Sequence, residues 1–232
     1  MKPAEKLGKI FGVESYAARP MLFCMFTNCM AYYLSRIIAK DFYHHDISIA
    51  VDNMIPCSPF FWTWMYLASF VVWAINYVIY ANQGKIYCKK IVLTDFICKI
   101  ICFTVYIIFP TSTEFSIVPV TDYWSFLLKF IQSIDQPNNL FPSLHCVVSW
   151  IAFRRICEID KVSKRYKYAS SIIVILIFLS VLFTKQHLVL DIFSGVCVAE
   201  IGIHISNLLF KDKVTDKLDE SIHELHSKLQ HT

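Results

Sequence analysis

The sequence predicts an all-α membrane protein: a six-transmembrane-helix bundle with an interfacial amphipathic helix and a cytoplasmic helix at the carboxyl end. Three observations point there. Of 232 residues, 56% are hydrophobic and only 17% are charged, too few polar side chains to clothe a soluble domain of this length. The apolar residues fall in blocks of about twenty, the length that crosses a hydrocarbon layer ~30 Å thick as a helix. Lysine and arginine cluster between alternate blocks, as they do where a chain weaves through a bilayer.

Each element follows from its residues. Residues 1–20 carry Lys2, Lys6, Lys9 and Arg19 without an apolar run and read as a cytoplasmic segment. The block 21–39 is long enough to span and has no small-residue cleavage site, so it reads as a retained first span, with Arg36 near its far end free to snorkel or to reach a site there. Residues 40–59, with Asp41, Asp46 and Asp52, form an interfacial loop. The second span, 60–80, has Trp62, Trp64, Tyr66 and Tyr80 as headgroup-level anchors. After Lys85, Lys89 and Lys90 comes a third span, 91–109, with Asp95 and Lys99 four residues apart on one face.

Residues 122–135 set polar side chains against Tyr123, Trp124, Leu127, Leu128 and Ile131, the pattern of an amphipathic helix lying on the membrane as a lid. A fourth span opens at Pro142 and meets Arg154 and Arg155 after about twelve residues; snorkelling of those arginines lengthens it. The fifth and sixth spans are 168–183 and 187–210. In the tail, 211–232, Val214, Leu218, Ile222, Leu225 and Leu229 make one apolar stripe on a charged helix. The organisation is therefore a segment 1–20, a membrane domain 21–210 and a tail helix 211–232.

Charge fixes the expected orientation. The amino terminus, 81–90, 154–168 and the tail from 211 hold 17 of the 22 lysines and arginines, which puts both termini in the cytoplasm and the starts of the fourth and sixth spans on the extracytoplasmic face. The net charge of +4 is spread over these clusters and makes no nucleic-acid face. The nine cysteines, among them Cys24, Cys29, Cys98, Cys102 and Cys197, lie mostly inside apolar runs and read as packing residues. No Cys-x2-Cys or His-x3-His pair occurs, so neither a metal nor another cofactor is expected; His44, His45 and Asp46, the nearest metal candidate, read as an interfacial loop.

Two stretches carry chemistry: 140–146, which includes Pro142, Ser143 and His145, and 184–191, which includes Lys185, His187 and Asp191. Both put ionisable or hydroxyl groups at the end of an apolar run, where charge is costly and kept for a task. With four-residue spacing the Asp191 carboxylate can hold one nitrogen of His187 and free the other to attack. That spacing alone is common; the second imidazole and hydroxyl of Pro142-Ser143-Leu144-His145 turn it into a phosphoryl-transfer set.

At these residues the chain resembles the type 2 phosphatidic acid phosphatase superfamily, whose motifs run in outline Lys-x6-Arg-Pro, Pro-Ser-x-His and Ser-Arg-x5-His-x3-Asp. The second matches at Pro142, Ser143 and His145, the third at Ser180, His187 and Asp191 with Val181 where the arginine belongs. The first is unrecognisable, although Pro110-Thr111-Ser112-Thr113-Glu114 occupies its place. The resemblance implies a metal-independent enzyme whose partners are a lipid phosphate and the bilayer. In it His187 is the nucleophile, Asp191 fixes its tautomer and His145 gives the leaving oxygen its proton. Ser143 and the start of the fourth helix, with Lys185, could cradle the phosphate; Lys185 serves equally well as a topology-setting charge. Hydrolysis of a phosphomonoester or pyrophosphate is expected. Transferases of the superfamily also lack the arginine, so headgroup phosphotransfer stays open, as does a silent lipid-binding protein. Lys99 is expected to pair with Asp95, with Glu200 or with both in the bundle interior.

Overall fold

The computed structural model describes residues 8–9, 12–113 and 119–230, those after 210 by backbone alone. The readings made for Lys2 and Lys6, for Glu114 and for the tail stripe from Val214 to Leu229 fall outside the described residues and side chains. Among the described residues the main helices follow in order: α1 (Ser15–Ile38, with a π-helical stretch at Met30–Leu34), α2 (Ala50–Met54), α3 (Phe60–Ala81), α4 (Lys85–Ile108), α5 (Tyr123–Ile134), α6 (Leu144–Cys157), α7 (Lys164–Phe183) and α8 (Val189–Gln230). Among the described residues there is no strand; two isolated bridges, His45 to Thr111 and Ser112 to Asn138, tie three loops together at one end of the bundle.

Five helices, α1, α3, α4, α7 and α8 up to Phe210, are long and apolar enough to cross a membrane. Their outward faces are apolar and bare: Phe26, Val71, Ile108, Ile175 and Phe193 are each more than half exposed, as lipid-facing side chains are. The expected fourth span is different. Helix α6 has 14 residues, or about 21 Å at 1.5 Å per residue, and falls short by length alone. It is the enclosed centre of the bundle, packed on α3, α4, α7 and α8. It runs from the end of α4 where Tyr106 Oη donates to Pro142 O (2.5 Å) to the end where Lys90 Nζ pairs with Glu158 (3.0 Å). Nine of its residues are buried, which is why its sequence shows no lipid-facing stripe.

The buried charges correct one expectation and bear out another. Arg155 does not snorkel: it is fully enclosed and donates to Glu158 Oε1 (2.5 Å), Asn207 Oδ1 (3.0 Å), Ser206 and Thr94. Lys99 pairs with Asp95 (2.5 Å) and also donates to Cys24 O (2.6 Å), whereas Glu200 takes Arg154 (2.7 Å) and the Trp150 indole (2.7 Å). Lys99 is thereby committed about 11 residues of helix, ~16 Å, away from the end that holds the two motifs.

Helix caps set the positions of the motif residues. Ser143 is the N-cap of α6, its Oγ accepting from Cys146 N (3.2 Å), so the helix starts one residue beyond the Pro142-Ser143 pair. Helix α7 ends in a Schellman motif: Lys185 N donates to Leu182 O (3.0 Å) and Gln186 N to Val181 O (3.0 Å). Lys185 therefore occupies the left-handed position, φ 55°, that glycine usually fills. Its Nζ donates to Asp52 O (2.7 Å), and the Asp52 carboxylate in turn accepts Val189 N (2.8 Å) and Ile49 N (2.9 Å), capping both α8 and α2.

The start of α8 lies against the start of α6 because residue 195 is glycine. A Cβ there would stand 2.9 Å from Ser143 O and 3.0 Å from Cys146 Cβ. Seven residues on, a Cβ at Gly202 would stand 2.3 Å from Cys98 Sγ, so the same face of α8 also closes on α4.

Two outcomes follow for purified protein in detergent. Gly195→Ala forces the main chain at Ser143 to move and should lower stability by ~1–3 kcal/mol, read as a fall in melting temperature. Lys185→Val should unfold earlier than Lys185→Gly by ~1–2 kcal/mol, since both lose the amine and only valine is strained at positive φ; equal stabilities would remove the left-handed assignment.

Candidate active site

His145 is the second residue of α6, and its Nε2 lies 2.8 Å from Ser69 Oγ of α3. Ser69 has one proton and gives it to Tyr66 O (2.7 Å), so it accepts from Nε2–H. Nδ1 is then the nitrogen left to exchange a proton with a substrate. The imidazole is held by rings on three sides: Tyr66 stacks on it at 4.4 Å, while Trp73 (4.6 Å) and Phe70 (5.6 Å) meet it edgewise.

His187 lies two residues before α8, so the pair with Asp191 is not built across one turn of a helix as the spacing suggests. Asp191 is the third helical residue and reaches back to accept Leu188 N (2.7 Å), the acidic half of a capping box. The contact with His187 is Nδ1 to Oδ2 at 3.4 Å. Nδ1 and the other carboxylate oxygen, Oδ1, are both buried without a partner, so a tightening of the 3.4 Å contact would satisfy the ring nitrogen. Catalytic hydrogen bonds commonly tighten in this way when substrate binds. Either arrangement leaves Nε2 of His187 for attack.

Both histidines line one cavity of about 410 Å3, with Phe130, Ile131 and Ile134 of α5 forming part of its wall. Asp191 stands behind His187, fully buried. The other two residues singled out from the sequence are not on the wall: Ser143 is fully buried with its Oγ engaged as a cap, and the Lys185 amine is turned to Asp52.

Sequence reasoning missed several polar groups on the wall. Asp135, just after α5, accepts from Tyr66 Oη (3.0 Å) and from Tyr32 Oη. Asn139, at φ 57°, donates to Ser35 Oγ (2.9 Å) and leaves its own Oδ1 buried and unpartnered. Gln186 is 3% exposed, and its Nε2 has no partner. Gln186 stands inside the third motif, where it passes as a spacer, and Asp135 closes the amphipathic stretch, where it passes as polar face; Tyr32 has no sequence signal. Arg36 does reach this end, donating to Gln136 Oε1 (2.8 Å) with its guanidinium 5.2 Å from the Tyr32 ring.

The place of the first motif has become a clasp. Thr111 Oγ1 accepts Leu140 N (3.2 Å) and Phe141 N (3.0 Å), and Thr111 O accepts Asn139 N (3.0 Å). It positions the segment leading into His145 without touching the cavity. Nearby, His45 stacks on Phe109 at 4.4 Å; among the described residues no three His, Cys, Asp or Glu side chains gather as metal ligands.

Comparison with protein-family models matches residues 53–205 to the PAP2 superfamily. No curated protein and no solved structure matches the chain. The matched segment covers α3 to α7 and most of the apolar part of α8, including both histidines and Asp191. This is an integral membrane protein of phosphatase type, and the chain belongs to the PAP2 superfamily.

Proposed function

We propose that the chain is a lipid phosphate phosphatase, a metal-independent hydrolase that works through a phosphohistidine on His187. The observation that carries this reading is the meeting of His145 and His187 on one cavity wall, with the Asp191 carboxylate buried behind His187. Nε2 of His187 attacks phosphorus as the lipid oxygen leaves in line, and Asp191 stabilises the imidazolium that forms. His145, entering the step as the imidazolium with a proton on each nitrogen, gives the Nδ1 proton to the leaving alkoxide, then regains one from the water that cleaves the phosphohistidine. Its Nε2–H stays on Ser69 throughout.

A second cavity of about 450 Å3 supports a lipid as substrate. It is lined almost wholly by apolar groups of α1, α3, α4 and α6, and it shares Asn28, Cys29, Phe70 and Trp73 with the first. A phosphate held by the histidines has its hydrocarbon chain pass into this groove. For topology we take α6 as the sixth crossing, since it links the two ends of α4. The basic segments around Lys90, Arg155 and Lys167 gather at one end, which the positive-inside rule assigns to the cytoplasm together with both termini; the histidines then face the extracytoplasmic side. Headgroup transfer, with an alcohol in place of water, uses the same atoms, and Val181 in the arginine position favours it as the second reading.

The test is a panel of lipid phosphates with purified protein. His145→Ala, His187→Ala and Asp191→Asn should each lower turnover by ~10²–10⁴-fold in protein that still purifies folded. Radiolabelled substrate should leave an acid-labile, alkali-stable label on the wild type and none on His187→Ala. Turnover surviving all three changes removes the assignment. Added alcohol acceptor, with released phosphate counted against transferred headgroup, separates hydrolysis from transfer.

A further inference from the structure

Two imidazoles open on one cavity, and the reaction needs them in different charge states. Attack requires His187 to be neutral at Nε2, while departure of the lipid oxygen requires His145 to hold a proton on each nitrogen. Two cations side by side repel, so the pair shares one proton, and its location decides whether the step can run. The nearest carboxylate favours the wrong ring. Asp191 lies 3.4 Å from His187 and on its own draws the proton there, whereas His145 is 7% exposed, and enclosure makes a cation costly.

The wall around His145 offsets that cost. Tyr66 lies face to face with its imidazole, centroids 4.4 Å apart and planes 14° from parallel, close enough for the ring face to attract a cation. The Tyr66 hydroxyl in turn donates to Asp135 Oδ2 at 3.0 Å, and Tyr32 Oη donates to Oδ1. A phenol that donates to a carboxylate is polarised and its ring gains electron density, so the stack passes part of the Asp135 charge to His145. The other titratable groups on this side are His187, the Cys29 thiol and the phenols of Tyr32, Tyr33 and Tyr106, with Cys146 on α6 itself and Asp191 behind His187; from α7 the neighbours are apolar, Phe178 and Val181. Phenols and thiols are largely uncharged at neutral pH, which leaves Asp135 as the anion on the wall among the described residues. Arg36 reaches the same network from the rim, donating to Tyr32 Oη (3.5 Å) and to Gln136 Oε1 (2.8 Å), and among the described residues Asp135 makes no ion pair.

We propose that Asp135 is a positioning residue: acting through the hydroxyl and ring of Tyr66, it holds the shared proton on His145 and leaves His187 free to attack. This rests on the cavity being the phosphoryl-transfer site. Two carboxylates then serve two histidines at different moments. Asp135, one ring removed from His145, favours the imidazolium present before attack; Asp191 steadies the one that forms on His187. As Nε2 of His187 bonds to phosphorus, the bond from phosphorus to the lipid oxygen breaks and that oxygen takes the His145 proton. Water next adds its oxygen to phosphorus and its proton to His145 as the P–N bond breaks, and the Asp135 charge again favours the protonated ring.

The experiment follows kcat/KM against pH for the full protein in detergent with phosphatidic acid as the probe; comparison with the wild type cancels the titration of the probe itself. The alkaline limb reports loss of the His145 proton. Tyr66→Phe keeps the stack and removes the link, and Asp135→Asn keeps a hydrogen-bond acceptor and removes the charge. Each should move that limb down by about one pH unit, which lowers kcat/KM about tenfold above the limb and leaves the plateau below it in place. Asp135→Glu should recover part of the shift, and Arg36→Gln, which removes an opposing charge, should move the limb up. A merely structural role would lower activity at every pH without moving the limb. Because these variants could fail to fold, 15N NMR of histidine-labelled wild type gives a second reading, its two signals assigned by their loss in His145→Ala and His187→Ala. At neutral pH His145 should be the cation and His187 neutral. An unmoved limb in folded Tyr66→Phe and Asp135→Asn, or the proton on His187, overturns the proposal. If turnover survives in His187→Ala, the catalytic reading has failed; if His187→Ala is dead and the limb does not move, only this inference has.

Discussion

One main-chain hydrogen bond, Ser143 N to Asp191 O at 3.1 Å, joins the two halves of the site. It runs from the residue that caps α6 to the residue that caps α8, and Gly195 clears the space for it. Such a bond contributes only ~1 kcal/mol net, so its importance is register, not strength. Sliding α8 by one turn would carry Gly195 out of the gap and bring a side chain against Ser143 O, leaving buried main-chain groups unpaired in surroundings that offer no water. His145, two residues after Ser143, and His187, four before Asp191, are held to the same cavity by that register.

Polar groups elsewhere in the bundle follow another rule. Lys99 finds Asp95 and a main-chain oxygen, and Arg155 finds Glu158, Asn207, Ser206 and Thr94, so enclosed charge is compensated wherever it only holds helices together. Breaking such a pair would leave an uncompensated charge, which is why these residues hold the helices in one arrangement. Of nine buried side-chain polar atoms without a partner among the described residues, five belong to residues lining the cavity and a sixth is Asp191 Oδ1 just behind it. Unsatisfied polar atoms are expensive inside a membrane protein, and their concentration at one place marks where a ligand completes the set.

The long helices were legible because membrane spans write themselves in composition, and the two histidines and Asp191 because they stand at the ends of those blocks. Helix α6 was not, since a helix enclosed by four others has no need of twenty apolar residues and tolerates Ser149 and Arg155 inside. Ser143 and Lys185 also have local roles that a linear reading does not show: one caps a helix, the other fills a left-handed turn. Tyr32, Tyr66 and Asp135 come from three separate segments and meet only through folding. In a chain that is 16% aromatic, no single tyrosine stands out.

Val181 shows how the missing arginine and the rest of the site fit one another. Its side chain is fully buried in a small cluster with Tyr66, Ile131 and Cys146, and its carbonyl accepts from both Gln186 N (3.0 Å) and His187 N (3.1 Å). An arginine at this position would put its stem and charge into the packing beneath Tyr66, the ring that stacks on His145 and hydrogen bonds to Asp135. Burying that charge against apolar neighbours costs several kcal/mol unless a carboxylate is brought to it, more than the roughly 2 kcal/mol that a buried valine contributes. Valine instead fixes Tyr66 from below and, through one carbonyl, sets the angle at which Gln186 and His187 enter the cavity.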